Sequence, residues 1–125
     1  MIIGIGIDIV EIDRIQGQLK LHGEKFFQRI FTDWEIAACR ARARPMQHFA
    51  GRFAAKEAAF KALGTGVASG VSWKSVELVN EPSGRPVLRL GGAAAKRMKQ
   101  IGAKTAWVSV SHGLNHAVAT VVLEA

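Results

Sequence analysis

Hydrophobic and polar side chains alternate from residue 2 to residue 10, and this period of two predicts a β-strand. One face of the strand is apolar and consists of Ile3, Ile5, Ile7 and Ile9. The other face carries Gly4, Gly6 and Asp8, and its missing side chains leave room for a ligand or for another stretch of backbone. Asp8 then either caps the next helix or belongs to a site, and the pattern leaves both interpretations open.

Residues 49–66 have the period of an amphipathic helix that runs into a glycine-rich end. One stripe of this helix is apolar and should face the core: Phe49, Phe53, Phe60 and Leu63. The opposite side consists of Ala55, Ala58, Ala59 and Ala62, which makes it smooth enough for close packing and suggests buried self-association of the chain. Glu57 and Lys61 lie between the two faces, in the order that favours a helical ion pair. Lys56 falls inside the apolar stripe, where an ammonium group needs a partner or a path to solvent.

Two further helices are predicted between these segments. The first runs from about Glu11 to His22 and is stopped by Gly23, and its apolar side chains should face inward: Ile12, Ile15, Leu19 and Leu21. Thr32 and Glu35 have the spacing of a capping box, which predicts that a second helix begins there. Pro45 is expected to end that second helix.

The second half of the chain is predicted to form two hairpins around one short helix: strands 75–79 and 87–90, helix 92–101, and strands 105–111 and 116–123. His112 follows the first strand of the last hairpin and shares a face with Ala106, Val108 and Val110. The order β-α-α-α-β-β-α-β-β predicts an α+β fold, a single domain over residues 1–125 with helices packed on a largely antiparallel sheet.

Composition excludes several classes of protein. Hydrophobic residues make up 49% and charged residues 22% of the 125 positions, which is typical of a globular domain. No apolar run approaches the roughly 20 residues of a membrane helix, and the first residues lack the basic leader of a signal peptide. The single Cys39 excludes an internal disulfide. We therefore predict a cytoplasmic protein without a membrane partner.

The net charge of +7 predicts an acidic partner, which could be nucleic acid, a phosphorylated cofactor or an acidic protein. The basic run Arg40, Arg42 and Arg44 favours a solvated helix face over a nucleic-acid site, because its side chains spread around a helix. A carboxylate at Glu57, two lysines and the turn Gly64-Thr65-Gly66 together suggest phosphate and metal chemistry instead, since exposed glycine amides can approach an anion.

Four blocks of sequence resemble the holo-acyl-carrier-protein synthases, the short bacterial type of 4′-phosphopantetheinyl transferase. They are GIGIDIVEIDRI at 4–15, RIFTDWE at 29–35, FAGRFAAKEAAFKALGTG at 49–66 and VSVSHGLNHAVATVV at 108–122. The resemblance covers nearly the whole chain and includes GRPVLRL at 84–90. It implies that the arm of coenzyme A is transferred to a serine of an acyl carrier protein for fatty acid biosynthesis, with release of adenosine 3′,5′-bisphosphate.

The same resemblance implies roles for individual residues. Asp8 and Glu57 would be the Mg²⁺ ligands, and with Lys61, which would contact the pyrophosphate, they would form the catalytic group. The coenzyme would also lie near Gly64, Thr65, Gly66 and His112. The base that deprotonates the carrier serine would be Glu57 itself or a metal-bound water that Glu57 orients. Gly113 stands where the family often has serine or threonine, so a hydroxyl contact is not expected there.

The resemblance also implies two protein partners. The acidic carrier would bind a basic set of side chains: Arg14, Lys20, Lys25 and Arg29. Further copies of the chain would form a homotrimer with each site at a subunit boundary. Two alternatives remain, a non-catalytic binder of coenzyme A or a nucleotide, and a small RNA-binding protein. The second is favoured only by the net charge, because the phenylalanines occupy core-like positions and not an exposed stacking platform.

Overall fold

The computed structural model describes residues 1–66 and 71–125, and in it all paired strands are antiparallel. The alternating N-terminal segment forms β1 (Ile2–Glu11), which pairs with β5 (His116–Glu124). β5 also pairs with β4 (Thr105–His112), so the sheet order is β1-β5-β4. β2 (Val76–Asn80) and β3 (Pro86–Leu90) form a separate hairpin. The predicted α+β class with a largely antiparallel sheet is confirmed.

The described residues contain five α-helices beside the strands: α1 (Ile12–His22), α2 (Glu24–Ile30), α3 (Asp33–Arg40), α4 (Pro45–Leu63) and α5 (Gly92–Gln100). The sequence analysis missed α2, so the order of elements has one helix more than predicted. Gly23 lies between α1 and α2 at a φ of 64°, a value that favours glycine and allows one helix to end and the next to begin. The capping box of Thr32 and Glu35 begins α3 as predicted.

Pro45 corrects another prediction, because it begins α4 and does not end the helix before it. Proline is favoured in a first turn, where its missing N–H would have no helical partner in any case. The residues between α3 and α4, including Arg42 and Arg44, therefore lie outside both helices. Among residues 1–66 and 71–125, no helix has the length and apolarity needed to cross a membrane.

The glycines of β1 bring the strand into direct contact with the backbone of α4. A Cβ on Gly4 would lie 2.1 Å from the carbonyl oxygen of Ala62, and one on Gly6 would lie 1.9 Å from that of Ala58. Only glycine fits at these two positions unless helix and strand move apart. The room on this face of β1 is thus filled by another backbone, and the close packing predicted for the alanine side of α4 is confirmed.

The opposite side of α4 packs on an aromatic cluster. Phe49 stacks on Phe27 with ring centroids 4.2 Å apart, and it also meets Phe31 at 5.1 Å. All six phenylalanines of the chain are buried. Both broad faces of α4 are therefore inside the protein, and beyond its half-buried first turn the helix reaches solvent at the flank of Glu57 and Lys61.

The outer face of the sheet carries apolar side chains that the described part of the chain leaves exposed. Ile5, Ile7 and Ile9 are 61%, 59% and 65% exposed, and Trp107 on β4 is also exposed. Leu21 is exposed as well, which corrects the expectation that it faces the core.

Candidate active site

Asp8, Glu57 and Lys61 meet at the open flank where β1 crosses α4. Asp8 shares the α4-facing side of β1 with the two glycines, so its carboxylate points to the helix. The Nζ of Lys61 lies 3.2 Å from Asp8 Oδ1 and donates to the carbonyl oxygen of Ile7 at 2.9 Å. The sequence spacing favoured an ion pair between Lys61 and Glu57 along the helix. In the structure Lys61 pairs instead with Asp8 on the neighbouring strand β1.

The electrostatics of Glu57 reflect a crowded acidic position. Burial raises the pKa of its carboxyl above the ordinary value of 4.5, and the charge of Asp8 raises it further. Arg14 and Lys61 act in the opposite direction and lower this pKa. Two carboxylates that repel each other beside solvent are stabilised by a cation, so this pair is suited to a metal ion.

The donor set matches a hard divalent ion. Mg²⁺ prefers six oxygen ligands and usually keeps several waters, so two carboxylates with substrate oxygens are a sufficient protein contribution. In the described part of the chain, no group of three or more His, Cys, Asp or Glu side chains is placed to hold a metal ion. A metal held by Asp8 and Glu57 would therefore leave most of its coordination positions to substrate and water.

His112 lies at the other end of α4. Its ring meets the ring of His48 edge-on at 5.0 Å, and His48 is in the first turn of α4. Glu57 follows His48 by nine residues, which is about 13 Å along a helix at 1.5 Å per residue. The predicted phosphate residues therefore form two groups, one at each end of α4.

A cavity of about 220 Å³ surrounds this second group. Its ionisable lining is entirely cationic or imidazole: Arg42, His48, Arg52 and His112. Arg52 is buried on α4 and donates to Asn80 Oδ1 at 3.0 Å. Burial lowers the pKa of His48, and the nearby His112, Arg42 and Arg52 lower it further. The cavity therefore suits a phosphate group.

The sequence analysis assigned none of Arg42, His48 and Arg52 to a site. Arg42 was grouped with a solvated basic run, and His48 received no role. The only available signal was the concentration of basic residues around the start of α4, because their convergence on β4 depends on tertiary packing.

The glycine turn is organised differently from the prediction. Gly64 adopts a left-handed conformation, with φ 71°, and ends α4. Its N–H donates to the carbonyl of Lys61, and that of Thr65 donates to the carbonyl of Phe60. Those two amides close the helix and are not free for an anion. Arg97, which the sequence analysis missed, lies against this turn and donates from Nε to the carbonyl of Leu63 at 3.0 Å.

A second cavity, of about 240 Å³, opens beside Arg14 and Arg29. Its walls are otherwise largely apolar and include Ile15, Phe26, Ile30, Phe53 and Trp73. Lys25 and Arg29 line an adjoining hollow with His22 and Phe26. The structure thus brings Arg14, Lys25 and Arg29 to one surface, whereas Lys20 is exposed on α1 and lines neither cavity.

Comparisons with known proteins identify the family of the chain. The family model of the 4′-phosphopantetheinyl transferase superfamily matches residues 4–122. The chain belongs to this superfamily. The resemblance of the four sequence blocks is thereby confirmed. The matched range contains the groups at both ends of α4, Asp8 with Glu57 and Lys61, and His48 with His112.

Individual members of the superfamily are similar over their full length. The holo-[acyl-carrier-protein] synthase of Koribacter versatilis is 48% identical over 124 residues, which is 99% of each chain. The crystal structure of the synthase from Neisseria meningitidis is 36% identical, covers 100% of both chains and superposes with a TM-score of 0.92. The Helicobacter pylori synthase, solved in complex with coenzyme A, is 32% identical with a TM-score of 0.84 and covers 96% of this chain and 99% of its own.

Proposed function

We propose that this chain transfers the 4′-phosphopantetheine group of coenzyme A to a serine hydroxyl of an apo-acyl carrier protein. The observation that carries the proposal is the meeting of Asp8, Glu57 and Lys61 at an open flank, in a chain that matches the superfamily over residues 4–122. The coenzyme A bound to the Helicobacter pylori relative supports the choice of donor. The other product would be adenosine 3′,5′-bisphosphate.

The reaction breaks one phosphorus–oxygen bond and forms another. The serine oxygen attacks the β-phosphorus of coenzyme A, and the pyrophosphate bridging oxygen leaves with adenosine 3′,5′-bisphosphate. Negative charge grows on the phosphoryl and leaving oxygens, where the Lys61 ammonium, 54% exposed at its side chain, can stabilise it. Lys61 would have to exchange Asp8 for the pyrophosphate, which an exposed ion pair permits.

Asp8 and Glu57 would hold a Mg²⁺ ion that neutralises the pyrophosphate charge. The assignment is supported by their common position where β1 crosses α4, and by the charge of Asp8, which adds to burial in raising the pKa of Glu57. Glu57 is also our choice for the group that accepts the serine proton, because its half-buried carboxylate lies at the same open flank. The basic cavity of Arg42, Arg52 and His112 would receive a phosphate of the nucleotide end of the coenzyme.

The carrier would bind on the surface of α1 and α2. Arg14, Lys25 and Arg29 provide charge that steers an acidic protein toward the site. The apolar wall of Phe53 and Trp73 beside Arg14 would take an apolar side chain of the carrier. Arg14 also acts on the pKa of Glu57, so this surface adjoins the catalytic group.

We further propose a homotrimer in which each site lies at a subunit boundary. Two features support it: the separation of His112 from Glu57, and the exposed row of Ile5, Ile7 and Ile9. Exposed apolar patches of this kind commonly mark contacts with other chains. The alanine side of α4 is excluded as the contact, since it packs on β1. Light scattering should give a trimer mass for the wild type and a lower mass for Ile5→Glu.

The deciding experiment incubates the protein with coenzyme A, Mg²⁺ and an apo-carrier, and follows the carrier by mass spectrometry. The expected result is a carrier with one added phosphopantetheine group and stoichiometric adenosine 3′,5′-bisphosphate. Tight coenzyme A binding without any adduct would instead support the non-catalytic binder. Every phenylalanine is buried and offers no stacking surface for RNA, so that among the exposed aromatic side chains this alternative rests on Trp34 and Trp107. A role in fatty acid biosynthesis and a cytoplasmic location are parts of the same proposal.

A further inference from the structure

Lys56 and Glu35 form an ion pair in the dry interior of the protein. Both side chains are 0% exposed, and Lys56 Nζ lies 2.8 Å from Glu35 Oε1. Glu35 also accepts hydrogen bonds from the backbone N–H groups of Thr32 and Leu78, each at 3.0 Å. A buried pair of this kind is often no more stabilising than apolar side chains of similar volume. Its presence therefore calls for a role other than stability.

The remaining N–H groups of Lys56 bind the backbone beyond α4. Nζ donates to the carbonyl of Trp73 at 3.0 Å and to the carbonyl of Val76. These carbonyls belong to the first residue of a 3₁₀ turn, Trp73–Ser75, and to the first residue of β2, which follows it. The ammonium thus uses all three donors and fixes this turn against α4 from within.

Trp73 connects this turn to the carrier surface. Its ring stacks on Phe53 with centroids 5.1 Å apart and planes inclined by 25°, and its edge meets Phe60. The guanidinium of Arg14 lies over the other ring of the stack, 5.8 Å from the centroid of Phe53. Trp73, Phe53 and Arg14 all line the 240 Å³ cavity. The position of the Trp73 backbone therefore determines the shape of this wall.

We propose that Lys56 is a positioning residue that holds Trp73 against Phe53 and thereby shapes the cavity beside Arg14 for the carrier protein. This inference rests on the proposed function, because it deepens the assignment of that cavity to the carrier. The Lys56 side chain is 0% exposed and is therefore not placed to reach a bound substrate. Its effect passes through Trp73.

The neighbouring Glu57 is not expected to depend on Lys56. The position of α4 relative to Asp8 is set by the contact of Gly4 and Gly6 with the helix backbone. Losing the Lys56 ammonium leaves that contact intact. Lys56 should therefore affect the use of the carrier and not the binding of coenzyme A.

Two single substitutions separate positioning from stability. Lys56→Met removes all three donors at similar volume, whereas Glu35→Gln removes the ion pair but leaves Lys56 able to donate to the Trp73 and Val76 carbonyls. We expect Lys56→Met to raise the KM for the carrier about tenfold and Glu35→Gln to change it less than about twofold, with the KM for coenzyme A unchanged in both. Equal carrier KM values for the two variants, measured below their melting temperatures, would overturn the proposal.

A double-mutant cycle with Trp73→Leu provides the second test. If Lys56 acts through Trp73, the double variant should have the carrier KM of Trp73→Leu alone, because the two effects share one path. Independent effects that multiply in the double variant would contradict the proposal. So would an unchanged carrier KM in Trp73→Leu, a result that remains informative if Lys56→Met does not fold.

A fluorescence measurement tests the link without enzymatic turnover. In a Trp34→Phe/Trp107→Phe background, Trp73 is the only tryptophan of the chain. Lys56→Met should shift its emission to longer wavelength as the ring leaves the Phe53 stack, and Glu35→Gln should not. Absence of transfer by the wild type would refute the proposed function, while an unshifted Trp73 emission in Lys56→Met would refute the inference.

Discussion

Two lysines of α4 form ion pairs in opposite surroundings. Lys56 pairs with Glu35 in an interior that excludes solvent, whereas Lys61 pairs with Asp8 at an open flank and is 54% exposed at its side chain. The buried ammonium is held by three acceptors and cannot exchange them without disrupting the core. The exposed ammonium can exchange its carboxylate for a phosphate at little cost. The residue type is the same, so it is the surroundings that suit Lys56 to a structural role and Lys61 to the proposed contact with a phosphate.

Substitutions at the open flank should affect the reaction more than substitutions of the buried pair. The largest effect is expected when either of the two proposed metal ligands is removed. Asp8→Asn and Glu57→Gln are each expected to lower the transfer rate by more than about a hundredfold, because both carboxylates would hold the one proposed metal ion. The double variant should be little worse than either single one. Circular dichroism should show an intact fold, and Asp13→Asn on α1 is the matched control. Full activity of the wild type in EDTA would contradict the assignment of the metal.

Substitution of the two lysines should have opposite effects on stability and on catalysis. Lys56→Met is expected to lower the free energy of unfolding by about 3–5 kcal/mol, because it leaves a buried carboxylate without its partner. Lys61→Met should change this free energy by less than about 1 kcal/mol, since exposed pairs contribute little. The turnover number should fall far more in Lys61→Met. Urea denaturation and saturation kinetics on both variants measure the contrast, and similar stability losses would remove it.

The exposed basic side chains on α1 and α2 should affect the rate at which the carrier associates and not the chemical step. Reversal of Arg14 and Lys25 to Glu is expected to raise the KM for the carrier and to flatten the salt dependence of the rate, because steering is screened within about 10 Å at 0.1 M salt. The KM for coenzyme A should hardly change. Lys96→Glu/Lys104→Glu has the same change of net charge away from this surface and is the control. If only the KM for coenzyme A rose, the surface of α1 and α2 would have to be assigned to the coenzyme phosphates and not to the carrier.

The smallest effect concerns the pH dependence of stability. Because the folded state raises the pKa of Glu57, it binds the proton more tightly than the unfolded chain does. The contribution of Glu57 to stability should therefore fall as the pH rises from about its ordinary pKa of 4.5 through the raised one. Glu57→Gln should remove this slope, Glu81→Gln should keep it, and Mg²⁺ should reduce it. Urea titrations across that pH range measure the difference, and a slope of opposite sign would contradict it.

Local patterns were sufficient for much of the fold. The alternation of β1, the two faces of α4 and the capping box of Thr32 each depend on residues close in sequence. α2 was missed because its seven residues are too few to show a helical period. Pro45 was misplaced because proline is compatible both with the end of one helix and with the first turn of the next.

The candidate site was predictable only where a motif or resemblance carried it. Asp8, Glu57 and Lys61 could be named, but their pairing could not, since Lys61 chooses a partner across the strand. The buried position of Lys56 was visible as a conflict with the apolar stripe. Its partner Glu35 was not visible, because α3 reaches α4 only through the tertiary fold. The basic cavity around Arg52 and His112 was hidden for the same reason.

The glycine contact between β1 and α4 would have a consequence for ion selectivity if Asp8 and Glu57 hold a metal ion. Backbone meets backbone there, so no side chain of Gly4 or Gly6 separates the strand that carries Asp8 from the helix that carries Glu57. In Gly4→Ala, the added Cβ would have to move from 2.1 Å to beyond 3.0 Å from the Ala62 oxygen, which would widen the gap between strand and helix. A wider gap suits Ca²⁺, which takes oxygens at about 2.3–2.6 Å, better than Mg²⁺ at about 2.0–2.1 Å. The two glycines would thus favour the smaller cation by keeping strand and helix close together.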